Sequence, residues 1–189
     1  MEGEKNMFEQ FKTRAVGVGA EVYRFEKKRD ALDFILPLLK KEGLANAPGC
    51  YAVWADGPFL DGIDKKELEA EPGLRFEVSR ALASQSRFGI SQMEWALADT
   101  GSLVQDQSAV AQRLASSLTD IHIALVATAN LLDGKRALFE RLNPSNSRYI
   151  AFITGPSRTA DIERVLTIGV HGPERLVIVF VDELSGELA

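Results

Sequence analysis

Three short runs of almost wholly apolar residues form the strongest pattern in the chain. They cover Ile121–Ala127, Tyr149–Thr154 and Leu176–Val181 and are rich in isoleucine, valine and other apolar side chains. Strands that are buried on both faces have this composition, and such strands belong to parallel sheets covered by helices. The run Cys50–Ala55 has the same character, so we expect another strand of the same sheet there.

Segments with helical spacing separate the last three runs. Asn130–Leu142 and Thr159–Ile168 lie between these strands, and each predicts a connecting helix. Regular alternation of strand and helix is typical of right-handed β–α–β units. The pattern therefore predicts an α/β protein, a single-domain three-layer fold with a mainly parallel sheet.

The first 45 residues predict a mainly helical N-terminal part of the same domain, which we take to cover residues 1–189. Apolar residues spaced by three and four predict an amphipathic helix over Phe8–Val18. Glu21–Phe25 predicts a short strand, and Lys27–Glu42 predicts a second helix. Pro37 lies inside that second helix and should kink or break it, and Gly43 is well placed to end it.

The middle of the chain interrupts this rhythm. Trp95–Ala98 and Ser102–Gln105 are apolar pieces that lie on either side of Asp99, Thr100 and Gly101. Glycine suits a tight turn, so we expect a hairpin, or two short strands joined at a functional loop. Asp56–Gly73 combines many charges with several glycines and prolines, and it predicts a connection on the surface.

The composition excludes several classes of function. Lys and Arg total 22 against 27 Asp and Glu, which gives a net charge of −5. Nucleic acids and anionic membrane surfaces require a cationic footprint, so neither is expected as the main partner. Cys50 is the only cysteine among these 189 residues. It can form no internal disulfide and cannot supply the ligands of an iron–sulfur cluster or a structural zinc site, so we expect no cofactor and no metal in this chain.

The chain shows no signal for export or for a membrane. Its first residues are charged and lack the apolar segment of a secretory leader. No apolar run approaches the roughly 18 residues that cross a bilayer. We therefore expect a cytoplasmic protein without a membrane span.

The best physical candidate for a site is the segment Gly155–Glu163. It leaves a predicted buried strand and enters a predicted helix, so we expect it at the carboxyl edge of the sheet, where open α/β folds bind ligands. Ser157 or Thr159 could cap that helix, and the free amides there attract anions. Arg158 could clamp a carboxylate or phosphate, or it could simply pair with a local carboxylate.

The turn Asp99–Ser102 and the two histidines are weaker candidates. Asp99 to Ser102 match the short signature of aspartic proteases, but those enzymes need two such aspartates, and the chain carries one copy in an α/β pattern. A structural turn and a ligand-facing loop remain the alternatives. His122 begins a predicted strand, where an oriented structural role is the simpler interpretation, whereas His171 lies in a tight loop and could reach the same edge as Arg158.

Taken together, these segments resemble the lactate-utilisation (LUD) domain family, and in size its branch of C subunits from L-lactate utilisation systems. The matching segments are Gly89–Ser91, Trp95–Val104, His122–Val126, Thr154–Glu163 and Gly169–Pro173. Asp99 departs from the family, in which many relatives carry glutamate in an Ala-Glu-Thr-Gly-Thr form. The acid is therefore one carbon shorter here.

The resemblance implies a fold similar to sugar-phosphate isomerases, coenzyme A transferases and formyltetrahydrofolate cyclo-ligase. It also implies cytoplasmic work beside two iron–sulfur partner subunits, A and B, in the oxidation of L-lactate to pyruvate. The family implies no catalytic residue, so the motif positions are candidates for ligand binding only: Asp99, Thr100, Gly101, Ser102, Gly155, Pro156, Ser157, Arg158, Thr159 and His171.

Two functions follow as hypotheses. In the first, the chain is a non-redox accessory or regulatory subunit of a lactate-oxidising assembly. In the second, it is an independent enzyme of the transferase or cyclo-ligase type that acts on an anionic substrate carrying coenzyme A, folate or a nucleotide. In that case Asp99 and Arg158 would serve the substrate.

Overall fold

A six-stranded, wholly parallel sheet forms the centre of the protein. The structure is a computed structural model, and it describes residues 2–162, 165–169 and 171–184. In spatial order the strands of this main sheet are β1 (Glu21–Phe25), β12 (Arg175–Val181), β7 (Ile121–Ala127), β4 (Ser86–Met93), β2 (Tyr51–Trp54) and β3 (Leu74–Arg75).

A smaller, mostly antiparallel sheet packs against the main one. Its strands are β8 (Leu131–Leu132), β5 (Trp95–Leu97), β6 (Ser102–Asp106) and β9 (Ile150–Ile153), in that spatial order. Strands β5 and β6 form the predicted hairpin, and β9 pairs antiparallel with β6. A separate antiparallel hairpin joins β10 (Arg158–Ile162) to β11 (Val165–Ile168).

Helices and the smaller sheet cover the two faces of the main sheet. The helices are α1 (Glu2–Gly17), α2 (Lys28–Lys41), α3 (Lys65–Glu69), α4 (Arg80–Ala83), α5 (Val110–Ser117) and α6 (Lys135–Phe139). On one face, α2 packs against β1 and β12, and its Ile35 and Leu39 share a core with Val177 and Val179 of β12. On the other face, α1 and the smaller sheet share a core with β12, in which Phe11 meets the ring of Phe180 at 5.0 Å. Among the described residues, no helix is both long and apolar enough to cross a membrane.

Several predicted elements are confirmed. Buried apolar runs at Ile121–Ala127 and Arg175–Val181 are central parallel strands, and Tyr51–Trp54 belongs to the same sheet. The α/β class with a mainly parallel central sheet is therefore confirmed. Helix α2 runs without a break through Pro37, so the predicted interruption is wrong. The segment Asp56–Gly73 lies largely on the surface, anchored by three buried apolar side chains, Phe59, Leu60 and Leu68.

Three predictions in the second half of the chain are wrong. The described residues of Thr159–Ile168 form two antiparallel strands rather than a helix, because the β-branched residues among them favour extended backbone. Tyr149–Thr154 supplies β9, an edge strand of the smaller sheet rather than a strand of the parallel sheet. Asn130–Leu142 contains β8 and the short helix α6 instead of one long helix. Strand β4 was not predicted.

Candidate functional site

The loop after β9 lies at the amino edge of the main sheet, not at the predicted carboxyl edge. Gly155 has a φ of 71°, and a Cβ added there would lie 2.6 Å from the carbonyl oxygen of Val18, just before β1. The main-chain N–H of Ser157 donates to the carbonyl oxygen of Pro173, just before β12, at 2.7 Å. Both partners precede strands of the main sheet. The prediction failed because β9 belongs to the smaller sheet.

Arg158 and its neighbours contact the connection between α1 and β1. Nη2 of Arg158 donates to the carbonyl oxygen of Val18 at 2.5 Å, and the side chain is exposed. Pro156 is buried beside Gly19. Thr159 lies in β10 and pairs with Thr167. Since this segment is a strand, Ser157 and Thr159 cap no helix there, and the predicted helix-end amides do not exist.

The turn between β5 and β6 is held tightly by the protein. Gly101 has a φ of 67°, and a Cβ there would lie 2.4 Å from the main-chain nitrogen of Ala15 in α1. Asp99 is exposed, and a Cβ added at Gly134 would lie 2.5 Å from its Oδ2. The turn therefore needs glycine at position 101, where both the positive φ and the backbone of α1 exclude a side chain.

Two hydroxyl groups near this turn differ in their contacts. Oγ of Ser102 lies 2.7 Å from Oγ1 of Thr154, at the end of β9. Oγ1 of Thr100 is buried and has no hydrogen-bond partner among the described residues. Ser102 thus connects the turn to the loop after β9, but Asp99, Thr100 and Gly101 do not share a cavity with that loop.

Three predicted ligand residues, Gly155, Ser157 and His171, line one cavity of about 250 Å³, which we call the amino-edge cavity. Its other walls include Ser116 and Ser117 at the end of α5 and His122 at the start of β7. Four of the lining residues carry hydroxyl groups, namely Ser116, Ser117, Thr154 and Ser157, and His171 is exposed. Arg158 does not line this cavity. The predicted set is therefore brought together only in part.

His122 is a buried, neutral member of this cavity wall. Its Nε2 lies 2.8 Å from Oγ of Ser91 in β4, and its Nδ1 has no partner among the described residues. Burial lowers the pKa of His122 to about 3, so the ring is uncharged at neutral pH. The Ser91 hydroxyl can either donate to or accept from Nε2, so this contact fits both neutral tautomers.

A larger cavity, of about 430 Å³, lies at the carboxyl edge of the main sheet. We call it the carboxyl-edge cavity. Residues that directly follow β2 and β4 line it, together with residues around the end of β6 and the start of α5: Asp56, Gln92, Glu94, Asp106, Ser108 and Gln112. Its volume is in the range of small-molecule sites, and ligands of open α/β sheets bind at this edge.

Glu94 is the chemically distinctive residue of the carboxyl-edge cavity. Its Oε2 accepts a hydrogen bond of 2.7 Å from the main-chain N–H of Asp106. Burial raises the pKa of Glu94 to about 7, and the nearby negative charge of Asp106 also raises it, against the lowering effect of that hydrogen bond. A carboxyl group with this pKa can both donate and accept a proton near neutral pH.

Asp106, in the same wall, has the opposite behaviour. Burial raises its pKa, but hydrogen bonds from the main-chain N–H of Ser108 at 2.8 Å and the hydroxyl of Ser147 at 2.7 Å lower it overall. Asp106 therefore stays ionised while Glu94 exchanges its proton. The described residues that line this cavity include no lysine, arginine or histidine. The wall thus favours hydrogen-bond donors over anions.

A chain of buried amides connects the two cavities. Nε2 of Gln107 donates to Oγ of Ser116, a wall residue of the amino-edge cavity, at 2.7 Å, and to Oε1 of Gln105 at 2.8 Å. Nε2 of Gln105 lies 3.0 Å from Oε1 of Gln112 and 2.9 Å from the carbonyl oxygen of Gln92, both in the carboxyl-edge cavity. Such a satisfied network holds the walls of both cavities in one arrangement.

Sequence reasoning missed Glu94 and the glutamines. One signal was available, because Glu94 is the only charged residue in the apolar stretch from Phe88 to Ala98. A lone ionisable group in such a run is either buried with partners or functional. The glutamines carry no comparable signal, because their burial depends on how α5 packs over β4 and β6.

Comparisons with known proteins place this chain among lactate-utilisation relatives. The family described as LUD domain matches residues 8–181. Lactate utilization protein C of an Exiguobacterium strain is 34% identical over 114 residues, which are 57% of this chain and 50% of that protein. Its namesake in Bacillus subtilis is 32% identical over 129 residues, or 65% of this chain and 52% of that protein. The matched region spans about half the length of these curated relatives.

One solved structure has the same overall fold. The crystal structure of a duf162 family protein from Deinococcus radiodurans superposes with a TM-score of 0.62, over 94% of this chain and 98% of that chain. The sequence identity is 21%, so this likeness shows the fold alone.

Proposed function

Because the chain belongs to the LUD domain family, we propose that it is a non-redox accessory or regulatory component of a cytoplasmic system that oxidises L-lactate to pyruvate. The observation that carries the proposal is the family match over residues 8–181, together with relatives that are called Lactate utilization protein C. A role in lactate utilisation is what these names support. The accessory role and the cytoplasmic location are our proposal.

The oxidation of L-lactate to pyruvate releases a pair of electrons and a pair of protons, so an electron acceptor is needed. With one cysteine, these 189 residues cannot supply the thiolates of an iron–sulfur cluster. We assign the clusters to two partner subunits, A and B, which would take the electrons. This chain would contribute binding, assembly or control.

The charge of the carboxyl-edge cavity supports an accessory role. Lactate is an anion, and Asp106 is ionised in a wall without a cationic side chain among its described residues. Such a wall would repel the lactate carboxylate. Glu94 instead suits a proton exchange with a neutral or hydrogen-bond-donating group.

Growth of a deletion strain tests the function. We expect loss of the gene to impair growth on L-lactate and to leave growth on pyruvate unchanged, with restoration by the intact chain. Affinity purification from lactate-grown cells should then recover the partner subunits with their coloured clusters. Equal growth of mutant and parent on L-lactate, in a strain without another lactate oxidase, would refute the proposal.

A stand-alone enzyme of the transferase or cyclo-ligase type is the second candidate. It is favoured by a cavity of about 430 Å³ at the carboxyl edge with an acid–base carboxyl group, and by the proposed likeness to sugar-phosphate isomerases, coenzyme A transferases and formyltetrahydrofolate cyclo-ligase. The reacting group of the substrate would then lie beside Glu94, and its anionic group would have to bind away from this wall, since the described lining includes no cationic side chain. Binding and turnover of coenzyme A, folate or a nucleotide by the purified chain alone would favour this candidate over the first.

A further inference from the structure

Strand β9 leaves one of its edges unpaired. It is the last strand of the smaller sheet and pairs only with β6 in the part of the chain that the structure describes. The main-chain N–H of Gln107 donates to the carbonyl oxygen of Tyr149, and residue pairs alternate along an antiparallel ladder. Ala151 and Ile153 therefore bond towards β6, whereas the N–H and C=O groups of Ile150 and Phe152 point outward.

Strand β9 itself contains neither a charged residue nor a proline that would protect this edge. Exposed edge strands are normally blunted by charged residues, proline or a covering element. Strand β9 consists of Ile150, Ala151, Phe152 and Ile153. Phe152 is 42% exposed, and the adjacent Tyr149 is 52% exposed. A large apolar side chain thus stands open on each face of the strand, since residues at odd separations point to opposite faces.

The outer edge of β9 continues into the amino-edge cavity. Phe152, Ile153 and Thr154 form one of its walls, and Ser116 and Ser117 at the end of α5 face them. The wall also includes His122, whose Nδ1 is buried and has no partner among the described residues. A segment laid along β9 would therefore extend into a preformed cavity that offers hydroxyl groups.

Two cations flank this edge, one on each face. The guanidinium of Arg113 lies 5.6 Å from the ring centre of Tyr149, and the ammonium of Lys135 lies 5.8 Å from that of Phe152. Arg113 donates to the carbonyl oxygen of Gln107, but within the described ranges neither cation has a carboxylate within ion-pair distance. Negative charges on a partner would complement them.

We propose that the outer edge of β9 and the amino-edge cavity bind an extended acidic peptide segment of a partner protein, which adds a strand to the smaller sheet. Its main chain bonds to Ile150 and Phe152, and acidic side chains three residues apart reach Arg113 on one face and Lys135 on the other. Strand addition of this kind derives affinity from main-chain bonds and specificity from side-chain contacts. A second copy of this chain fits poorly, because antiparallel pairing of two β9 strands would bring Arg113 and Lys135 close to their own copies. The inference does not depend on the proposed function.

A short synthetic peptide tests the proposal on the full chain. The probe is the acetylated, amidated peptide Thr-Val-Glu-Val-Thr-Glu-Val-Thr, and the control carries lysine in place of both glutamates. We expect the first peptide to slow amide exchange at Ile150 and Phe152 about tenfold or more, as new hydrogen bonds form, and the lysine peptide to have no effect. Equal effects of the two peptides, or no change at β9, would overturn the proposal.

Matched variants separate main-chain from side-chain effects. Phe152→Pro removes a main-chain N–H that points outward and makes no bond to β6. Phe152→Val keeps that N–H and preserves the strand. We expect peptide binding to weaken about tenfold in the first and far less in the second. Slow amide exchange at Ala151 and Ile153 verifies that the strand is intact. Unchanged affinity of Phe152→Pro would contradict the strand-addition mode.

Charge variants keep the test decisive if Phe152→Pro fails to fold. Arg113→Gln with Lys135→Gln should weaken binding and remove its salt dependence, while Lys12→Gln with Lys41→Gln, on exposed faces of α1 and α2, should not. If the outward amides of Ile150 and Phe152 instead become protected as protein concentration rises without peptide, and the sedimenting mass doubles, then a second copy occupies the edge and the proposal is wrong.

Discussion

Glu94 and Asp106 show how two neighbouring carboxyl groups acquire different proton affinities. They line the same cavity and are joined through the Asp106 N–H, yet Glu94 has a raised pKa and Asp106 a lowered one. The difference arises from hydrogen bonds. Asp106 accepts bonds from Ser108 and Ser147 at both oxygens, whereas burial dominates at Glu94. Pairs of this kind divide the acid and base roles at a site.

We expect Glu94→Gln to change the pH dependence of stability. The folded pKa, about 7, lies above the ordinary value of 4.5, so the folded state holds the proton more tightly. At pH values below 4.5 the Glu94 carboxyl group is protonated in both the folded and the unfolded protein, so it does not reduce the stability. As pH rises through the folded pKa, the folded protein loses stability relative to the unfolded state, in full on the order of 3 kcal/mol. The Glu94→Gln variant avoids this loss because its amide side chain does not ionise.

Urea unfolding at acidic and mildly alkaline pH measures the effect. The stability of Glu94→Gln relative to the native protein should increase between the two conditions, and Glu77→Gln, at an exposed position, should show no such trend. A difference that stays constant with pH would mean that Glu94 is ionised throughout.

Arg158→Ala tests whether Arg158 has a role beyond its bond to Val18. An exposed side chain with one hydrogen bond to a carbonyl oxygen should contribute only about 0.5–1.5 kcal/mol to stability. We therefore expect the Arg158→Ala protein to fold, with a slightly lower melting temperature. A strain that carries it should grow poorly on L-lactate, and Arg158→Lys should restore that growth only in part. Full growth with Arg158→Ala would remove Arg158 from the site.

For individual residues, the sequence predicted the role of a side chain better than its position in the fold. His122 was expected to be oriented at a strand start, and the structure confirms this with its bond to Ser91. The ligand residues around Gly155 and Asp99 were expected in one crevice, but only Gly155, Ser157 and His171 share a cavity. Asp99, Thr100 and Gly101 do not line that cavity, because Gly101 packs onto α1, a contact between residues far apart in sequence.

At the scale of elements, the contact between α5 and β4 explains a glycine in the family-like motif. A Cβ at Gly89 would lie 1.8 Å from the carbonyl oxygen of Ala115. Helix α5 therefore rests directly on the backbone of β4. This close approach sets the position of Gln112 in one cavity wall and Ser116 in the other.

Gly89→Ala should be strongly destabilising because backbone atoms, unlike side-chain ends, cannot move aside. We expect a loss of more than about 2 kcal/mol in the free energy of unfolding, as in other overpacked sites. Gly17→Ala is the matched control, since nothing lies within 4 Å of a Cβ there. That substitution should be neutral or stabilising in thermal unfolding. Equal melting temperatures for the two variants would contradict the packing of α5 on β4.

The predictable elements are those whose burial follows from their own composition. Apart from His122 and Arg175, strands β7 and β12 are apolar because helices or the smaller sheet cover both of their faces. The hairpin β10–β11 was missed because its acidic residues near the start resemble a helix N-terminus, while its β-branched residues decide the backbone. Strand β4 was missed because Gly89, Ser91 and Gln92 interrupt its apolar pattern, and each of them serves a contact with another element.

For the whole molecule, ligand count leads to a direct prediction. One cysteine and two histidines provide too few soft ligands for an iron–sulfur cluster or a structural zinc site within these residues. We expect the purified chain to be colourless and metal analysis to find less than one iron or zinc per chain. Stoichiometric metal, with loss of folding on chelation, would refute this and reassign the redox centre to this protein.

The order of strands in the main sheet also affects how the protein can be made. Strand β12 lies between β1 and β7, and its register joins Glu21 to Val177. During synthesis β1 emerges well before β12 and has no partner in the main sheet until β12 has left the ribosome. Until then its apolar face must stay exposed or be shielded by chaperones. Final assembly should therefore be a single late step, slow for a chain of this size because its defining contacts are so distant in sequence.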